Sequence, residues 1–259
     1  MLVRKLKRSL YLLNGSLSIP VSLSLLAFLL IISCASRQRE IPDFFQSVQA
    51  SWKEKAEHMV TTQIISRGVS NEAVLEAMKN TPRHLFVPAE ISHLAYNDNP
   101  LPIGYNQTIS QPYIVGLMSE LLEVSDEDIV LEIGTGSGYQ AAILSHLVKK
   151  CYSIELVEPL AVRSKEILAN LGYTNVTVKC GDGYQGWPER APFDAIVVTA
   201  APEEIPENLV EQLKVGGTMV VPVGKYYQEL IVIKKKEKGY TKKNIIPVRF
   251  VPMVHPGKK

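Results

Sequence analysis

Gly134, Gly136 and Gly138 stand at alternate positions between the apolar run "IVLEI" and the helical pattern "YQAAILSHLV". A glycine turn between a strand and a helix lets backbone approach a ligand closely, because no Cβ stands in the way. The spacing is G-x-G-x-G. A dinucleotide site uses G-x-G-x-x-G to seat a pyrophosphate on the helix N-terminus, so a ligand without pyrophosphate is expected here. Glu155 follows Gly138 by seventeen residues and closes the next apolar run. There a carboxylate accepts hydrogen bonds from both hydroxyls of a ribose. Asp182 and Gly183 close a third run. Three strand ends of a parallel sheet meet along one edge, where open α/β sheets bind their ligands. The ligand implied is S-adenosylmethionine, an adenosine carrying a sulfonium, and the chemistry implied is methyl transfer.

Other chemistries find less support. The histidines, at 58, 84, 93, 146 and 255, have no paired spacing, and no metal site is expected. Cys151 opens one expected strand and Cys180 closes a neighbouring one. In parallel strands those ends lie roughly 15 Å apart, too far for a disulfide.

The elements that must position these residues follow from periodicity. "WKEKAEHMVTTQIISRG" has apolar residues at helical spacing with Gly68 as its stop, and "NEAVLEAMKN" is a second helix for which Ser70 is the expected cap. Pro82, Pro88, Pro100 and Pro102 keep regular elements short between Thr81 and Pro112. From Ile129 onward strands and helices alternate. The expected fold is Rossmann-like α/β, a mostly parallel sheet with helices on both faces and a small helical appendage at the N-terminal side. "KKKEKGYTKK" is expected to be a hairpin turn that blunts a sheet edge, and Trp187 either packs beside the cofactor loop or stacks on a ligand.

Composition bounds the partners. The chain has 259 residues, 46% of them hydrophobic, and a net charge of +2. Arg4, Lys5, Lys7 and Arg8 all precede an apolar run, so the remaining body is near neutral and nucleic acid is not an expected partner. No acidic residue precedes Glu40. The basic start and "SIPVSLSLLAFLLIISCAS" read as a secretory leader, and the sequence around Cys34 resembles the lipobox of bacterial lipoproteins, which would make Cys34 the lipidated residue. An uncleaved anchor and a translation start nearer Met59 are the alternatives. The expected organisation is a leader over 1–33, a tether over 34–51 and a methyltransferase domain over 52–259. Within that domain 52–112 holds the appendage and active-site segment, and 113–259 the cofactor-binding core.

"VLEIGTGSGYQAAIL", "GDGYQGWPERAPFDAIVVTAAPEEIP", "GGTMVVPVG", "VRFVPM" and "LPIGYNQTISQPYIVGLMSELL" together resemble the protein-L-isoaspartate O-methyltransferases, over Trp52 to Met253. "TISQPY" and "GDGYQGW" are specific to that family. The resemblance implies methyl esterification of the free carboxylate of L-isoaspartyl and D-aspartyl residues in damaged proteins, which starts repair through a succinimide. It implies that Gly134, Gly136, Glu155, Asp182 and Gly183 contact S-adenosylmethionine. It makes Ser110 the catalytic serine and places Thr108, Ile109, Arg249 and Val251 at the substrate. Tyr113 stands where animal members tend to carry histidine. The implied partners are damaged peptides and unfolded proteins, met by a monomer that touches membrane only through its leader.

Two other functions fit parts of the sequence. One is methyl transfer to another carboxylate or a small molecule. The other is an envelope-anchored, cofactor-free protein that binds isomerised peptides, motivated by the absence of cofactor synthesis outside the cytoplasm. The leader points to export and the family to the cytoplasm, and both readings stand at this stage.

Overall fold

The computed structural model describes residues 43–257, so the leader and Cys34 lie outside the described residues. Contacts divide the chain into Met1–Val48 and Gln49–Lys259, and the second unit holds the sheet. Helix α1 (Asp43–Met59) passes into a π-helical turn (Val60–Ile64) and a 3₁₀ turn (Ile65–Arg67), and stops at Gly68 with φ +96°. Helix α2 (Glu72–Asn80) is capped by Asn71, whose side chain accepts from Val74 N at 3.1 Å. The sequence pointed to Ser70 instead. Ser70 is drawn aside because Glu120 Oε1 accepts from the backbone N–H groups of both Ser70 (2.8 Å) and Asn71 (2.7 Å).

The proline-rich segment folds into two 3₁₀ turns, Arg83–Phe86 and Ala89–Leu94, and an antiparallel hairpin of β1 (Leu101–Gly104) and β2 (Gln107–Ile109). Tyr105 and Asn106 at its tip both have positive φ, as a hairpin turn matched to strand twist requires. Helix α3 (Pro112–Leu121) starts immediately afterwards, with proline in its first turn where no amide is needed.

The main sheet alternates with helices from there. It contains β3 (Ile129–Ile133), β4 (Lys150–Glu155), β5 (Val176–Cys180), β6 (Phe193–Val198), β7 (Leu213–Val223), β8 (Gln228–Lys235) and β9 (Tyr240–Val248). Helices α4 (Tyr139–Ser145), α5 (Glu158–Asn170) and α6 (Glu207–Glu211) connect them. The order is β5-β4-β3-β6-β7-β8-β9, parallel through β7 and antiparallel for the last two pairs. Alternate residues of each strand feed two cores. Val130 packs with the helices of the α4 side, while Leu131 and Ile133 pack with Leu209 and Val210 of α6 on the other. The expected mostly parallel sheet with helices on both faces is the fold found.

Strand β9 was not legible as a strand, because Thr241, Lys242, Lys243 and Asn244 between Tyr240 and Ile245 break the apolar alternation. It forms the sheet edge, and Lys242 and Lys243 lie exposed on it, the arrangement that discourages further strand pairing. Cys151 is buried and Cys180 exposed, and both are free thiols. Trp187 packs edge-on against Tyr152 at 5.2 Å, away from the ligand clefts.

Candidate active site

Strands β3 and β4 lead one way across the sheet, and β6 lies on the other side of β3. The carboxyl ends of β3 and β6 therefore form the switch point at which doubly wound sheets leave a crevice. Gly134 follows β3 and Thr199 follows β6, and these two residues touch. Thr199 Oγ1 lies 2.6 Å from the Gly134 carbonyl oxygen. A Cβ on Gly134 would meet that same Oγ1 at 2.4 Å, and the backbone there has φ +95°. Glycine is required at this position on both counts.

The glycine turn is held from β4. Glu155, buried to 5% exposure, accepts from Gly136 N at 2.7 Å through Oε2 and from Val157 N at 2.9 Å through Oε1. Burial raises the pKa of its carboxyl, and the backbone amides that donate to it oppose that shift. Each oxygen keeps acceptor capacity for a further donor, such as a ribose hydroxyl. Beneath the turn, Ser153 Oγ donates to Glu132 Oε2 and lies 2.5 Å from Thr135 Oγ1. Glu132 is fully buried, and burial pushes its carboxyl up to about 8.

A cleft opens over this turn, lined by Gly134, Gly136, Glu155, Gly183, Thr108 and Val251 among others. A Cβ at Gly183 would meet Ile133 Cγ2 at 2.5 Å. Asp182 is not among the lining residues. Its Oδ1 accepts from Tyr184 N at 2.9 Å and its Oδ2 pairs with His255 Nδ1 at 3.1 Å, while the His255 ring stacks on Tyr184 at 4.2 Å. His255 was not singled out from the sequence. Nothing in a tail residue signals a partner 73 positions away.

A second, wider cleft lies beside the first, and Ser110, Arg249, Val251 and Thr108 line it. A small recess shares Thr108 and Thr199 with both clefts and is also lined by Ile109, Ser110 and Gly134. Thr108 and Thr199 border all three spaces. Thr199 was missed in the sequence because "VVTAAP" carries no charged or nucleophilic signature. Ser110 Oγ makes no hydrogen bond among the described residues, and no histidine lines either cleft or the recess.

A glycine cradle and ribose-type carboxylate at the switch point of this sheet define an S-adenosylmethionine-dependent methyltransferase. Comparison with known proteins narrows the class. A protein-L-isoaspartate O-methyltransferase of Synechococcus sp. (strain JA-2-3B'a(2-13)) is 55% identical over 206 residues, 76% of this chain and 84% of that one. One from Opitutus terrae is 50% identical, over 89% of this chain and 96% of its own. A solved structure from Plasmodium falciparum, assigned to the same enzymes and in complex with S-adenosyl-L-homocysteine, superposes with TM-score 0.67 at 26% identity. It covers 78% of this chain and 98% of that one. The chain belongs to the protein-L-isoaspartate(D-aspartate) O-methyltransferase family, which it matches over residues 54–258.

Proposed function

We propose that the protein methylates the free carboxylate of L-isoaspartyl, and of D-aspartyl, residues in damaged proteins and peptides, using S-adenosylmethionine. The observation that carries this reading is the meeting of the cofactor cleft and the wider second cleft at a recess bordered by Thr108, Ser110 and Thr199. A protein acceptor needs a wide groove, and its reacting group has to come close to the glycine turn, which Thr108 and Thr199 border together with that groove.

Gly134, Gly136 and Gly183 would hold the cofactor against bare backbone, and Glu155 would accept from its ribose. Bound there, S-adenosylmethionine supplies a methyl group on a sulfonium. The nucleophile is the acceptor's own carboxylate, which is ionised at neutral pH because carboxyl groups titrate near 4. No base has to remove a proton from a group already ionised. The work left to the protein is alignment and exclusion of water, and alignment alone contributes on the order of 7–11 kcal/mol in favourable intramolecular cases. Ser110 would donate to the carboxylate oxygen that does not attack and so fix the other. Arg249 and Val251 would contact the flanking peptide. The methyl ester is expected to close to a succinimide, whose hydrolysis returns part of the material to normal aspartate.

The test is transfer of labelled methyl from S-adenosylmethionine by the full chain to a peptide containing isoaspartate and to its aspartate twin. Base-labile label on the isoaspartyl peptide alone is expected. Cofactor binding with neither peptide labelled would overturn the acceptor, and no cofactor binding would favour a cofactor-free binding protein.

A further inference from the structure

Among the described residues the wide cleft is lined by two arginines, Arg67 and Arg249, and by no acidic residue. Arg67 is held unusually firmly for a side chain 43% exposed. It ends the 3₁₀ turn that Gly68 terminates. Its guanidinium carbon lies over the ring of Tyr113, 3.4 Å from the centroid, and Tyr113 is itself buried. Arg67 Nη1 donates to Asp98 Oδ2 at 2.8 Å, and the same oxygen accepts from Gln111 Nε2 at 2.8 Å. Among the described residues one of its five guanidinium N–H groups is used, and the others remain for a ligand. A cation already fixed by stacking and an ion pair loses little further freedom when it binds an anion.

Position shows which anion. Thr108 and Ser110 border the recess that shares Gly134 and Gly136 with the cofactor cleft, and neither arginine borders the recess or that cleft. Arg67 therefore faces the residues that flank the damaged one. Asp98 offsets one positive charge, while Arg249 forms no ion pair among the described residues, so the groove stays net positive.

Resting on the reaction proposed above, we infer that Arg67 is a specificity-determining residue that favours acceptor peptides with an acidic side chain beside the isoaspartate and disfavours those with lysine there. Tyr113 is the platform that makes this selection rigid.

The experiment measures KM for the full chain with three isoaspartyl peptides, identical except for glutamate, glutamine or lysine at the flanking positions. KM is expected to rise about three- to tenfold at each step from glutamate to glutamine to lysine, the span of one charge-assisted contact. The spread should shrink as salt is raised. Arg67→Gln should narrow the glutamate-to-lysine ratio at least threefold, and Arg67→Lys should restore part of it, with cofactor affinity reporting that each variant is folded. A purely structural role would move all three KM values together. Equal KM values in the wild type, or an equal shift of all three in Arg67→Gln, would overturn this inference alone. Failure to methylate any of the three would overturn the reaction and this inference with it.

Discussion

Arg83 Nη2 donates to the carbonyl oxygen of Ser110 at 2.7 Å from a position with no solvent exposure. Its Nε donates to Ala95 O at 2.7 Å, and its guanidinium carbon lies 4.7 Å from the ring centroid of Tyr139, the first residue of α4. No carboxylate pairs with it among the described residues. A buried cation thus ties the serine segment to the helix that follows the glycine turn. Arg83→Met leaves the buried Ala95 carbonyl and the half-buried Ser110 carbonyl without this donor and is expected to cost about 3 kcal/mol, read by urea unfolding. Arg83→Lys keeps the charge but not the fork, and should lose less stability while turnover still falls.

Ser110→Ala should leave cofactor affinity unchanged and lower kcat by about ten- to a hundredfold, the loss of one hydrogen bond to a charged group. Steady-state kinetics with a single isoaspartyl peptide check it. An unchanged kcat would remove Ser110 from the mechanism.

Glu155→Gln retains an oxygen acceptor for a backbone amide while removing the charge. It is expected to weaken S-adenosylhomocysteine binding about ten- to a hundredfold by calorimetry, with a small change in unfolding free energy.

Gly134→Ala combines a left-handed backbone, costing about 1–2 kcal/mol for an L-residue, with a Cβ that would meet Thr199 Oγ1 at 2.4 Å. Loss of cofactor binding by at least tenfold is expected. The double variant Gly134→Ala/Thr199→Ser should recover little, because the hydroxyl remains and the backbone strain is untouched.

Glu132 makes stability depend on pH. Its carboxyl, near 4.5 when unfolded, is pushed up to about 8 chiefly by burial, with Ser153 opposing and Glu155 adding to the rise. The folded state therefore binds the proton more tightly. The contribution is full below about 4.5 and falls as pH rises towards 8, by about 1.4 kcal/mol per unit. Glu132→Gln removes this dependence, so its stability relative to wild type should improve steadily between pH 5.5 and 8 in urea melts.

Much of the fold was legible because it depends on local signals. The alternation of apolar runs with helical patterns from Ile129, the stop at Gly68 and the G-x-G-x-G turn each declare themselves within a few residues. Failures occurred where a remote group intervened. Glu120 reaches back fifty residues to Ser70 and moves the cap to Asn71, and β9 becomes a strand by pairing with β8 despite a lysine-rich sequence.

By itself the sequence determined the α/β alternation, the bare backbone after β3 and the carboxylate after β4, because glycine, strand period and helix period act through the chain's own geometry. Only the tertiary structure decided that Asp182 faces His255, that Thr199 closes on Gly134, that Arg83 stands behind Ser110 and that Arg67 lies on Tyr113. Each of these contacts joins residues 27 to 73 positions apart, or elements whose meeting depends on strand order. Side-chain type records what a residue can bind, but the partner it meets is set by packing.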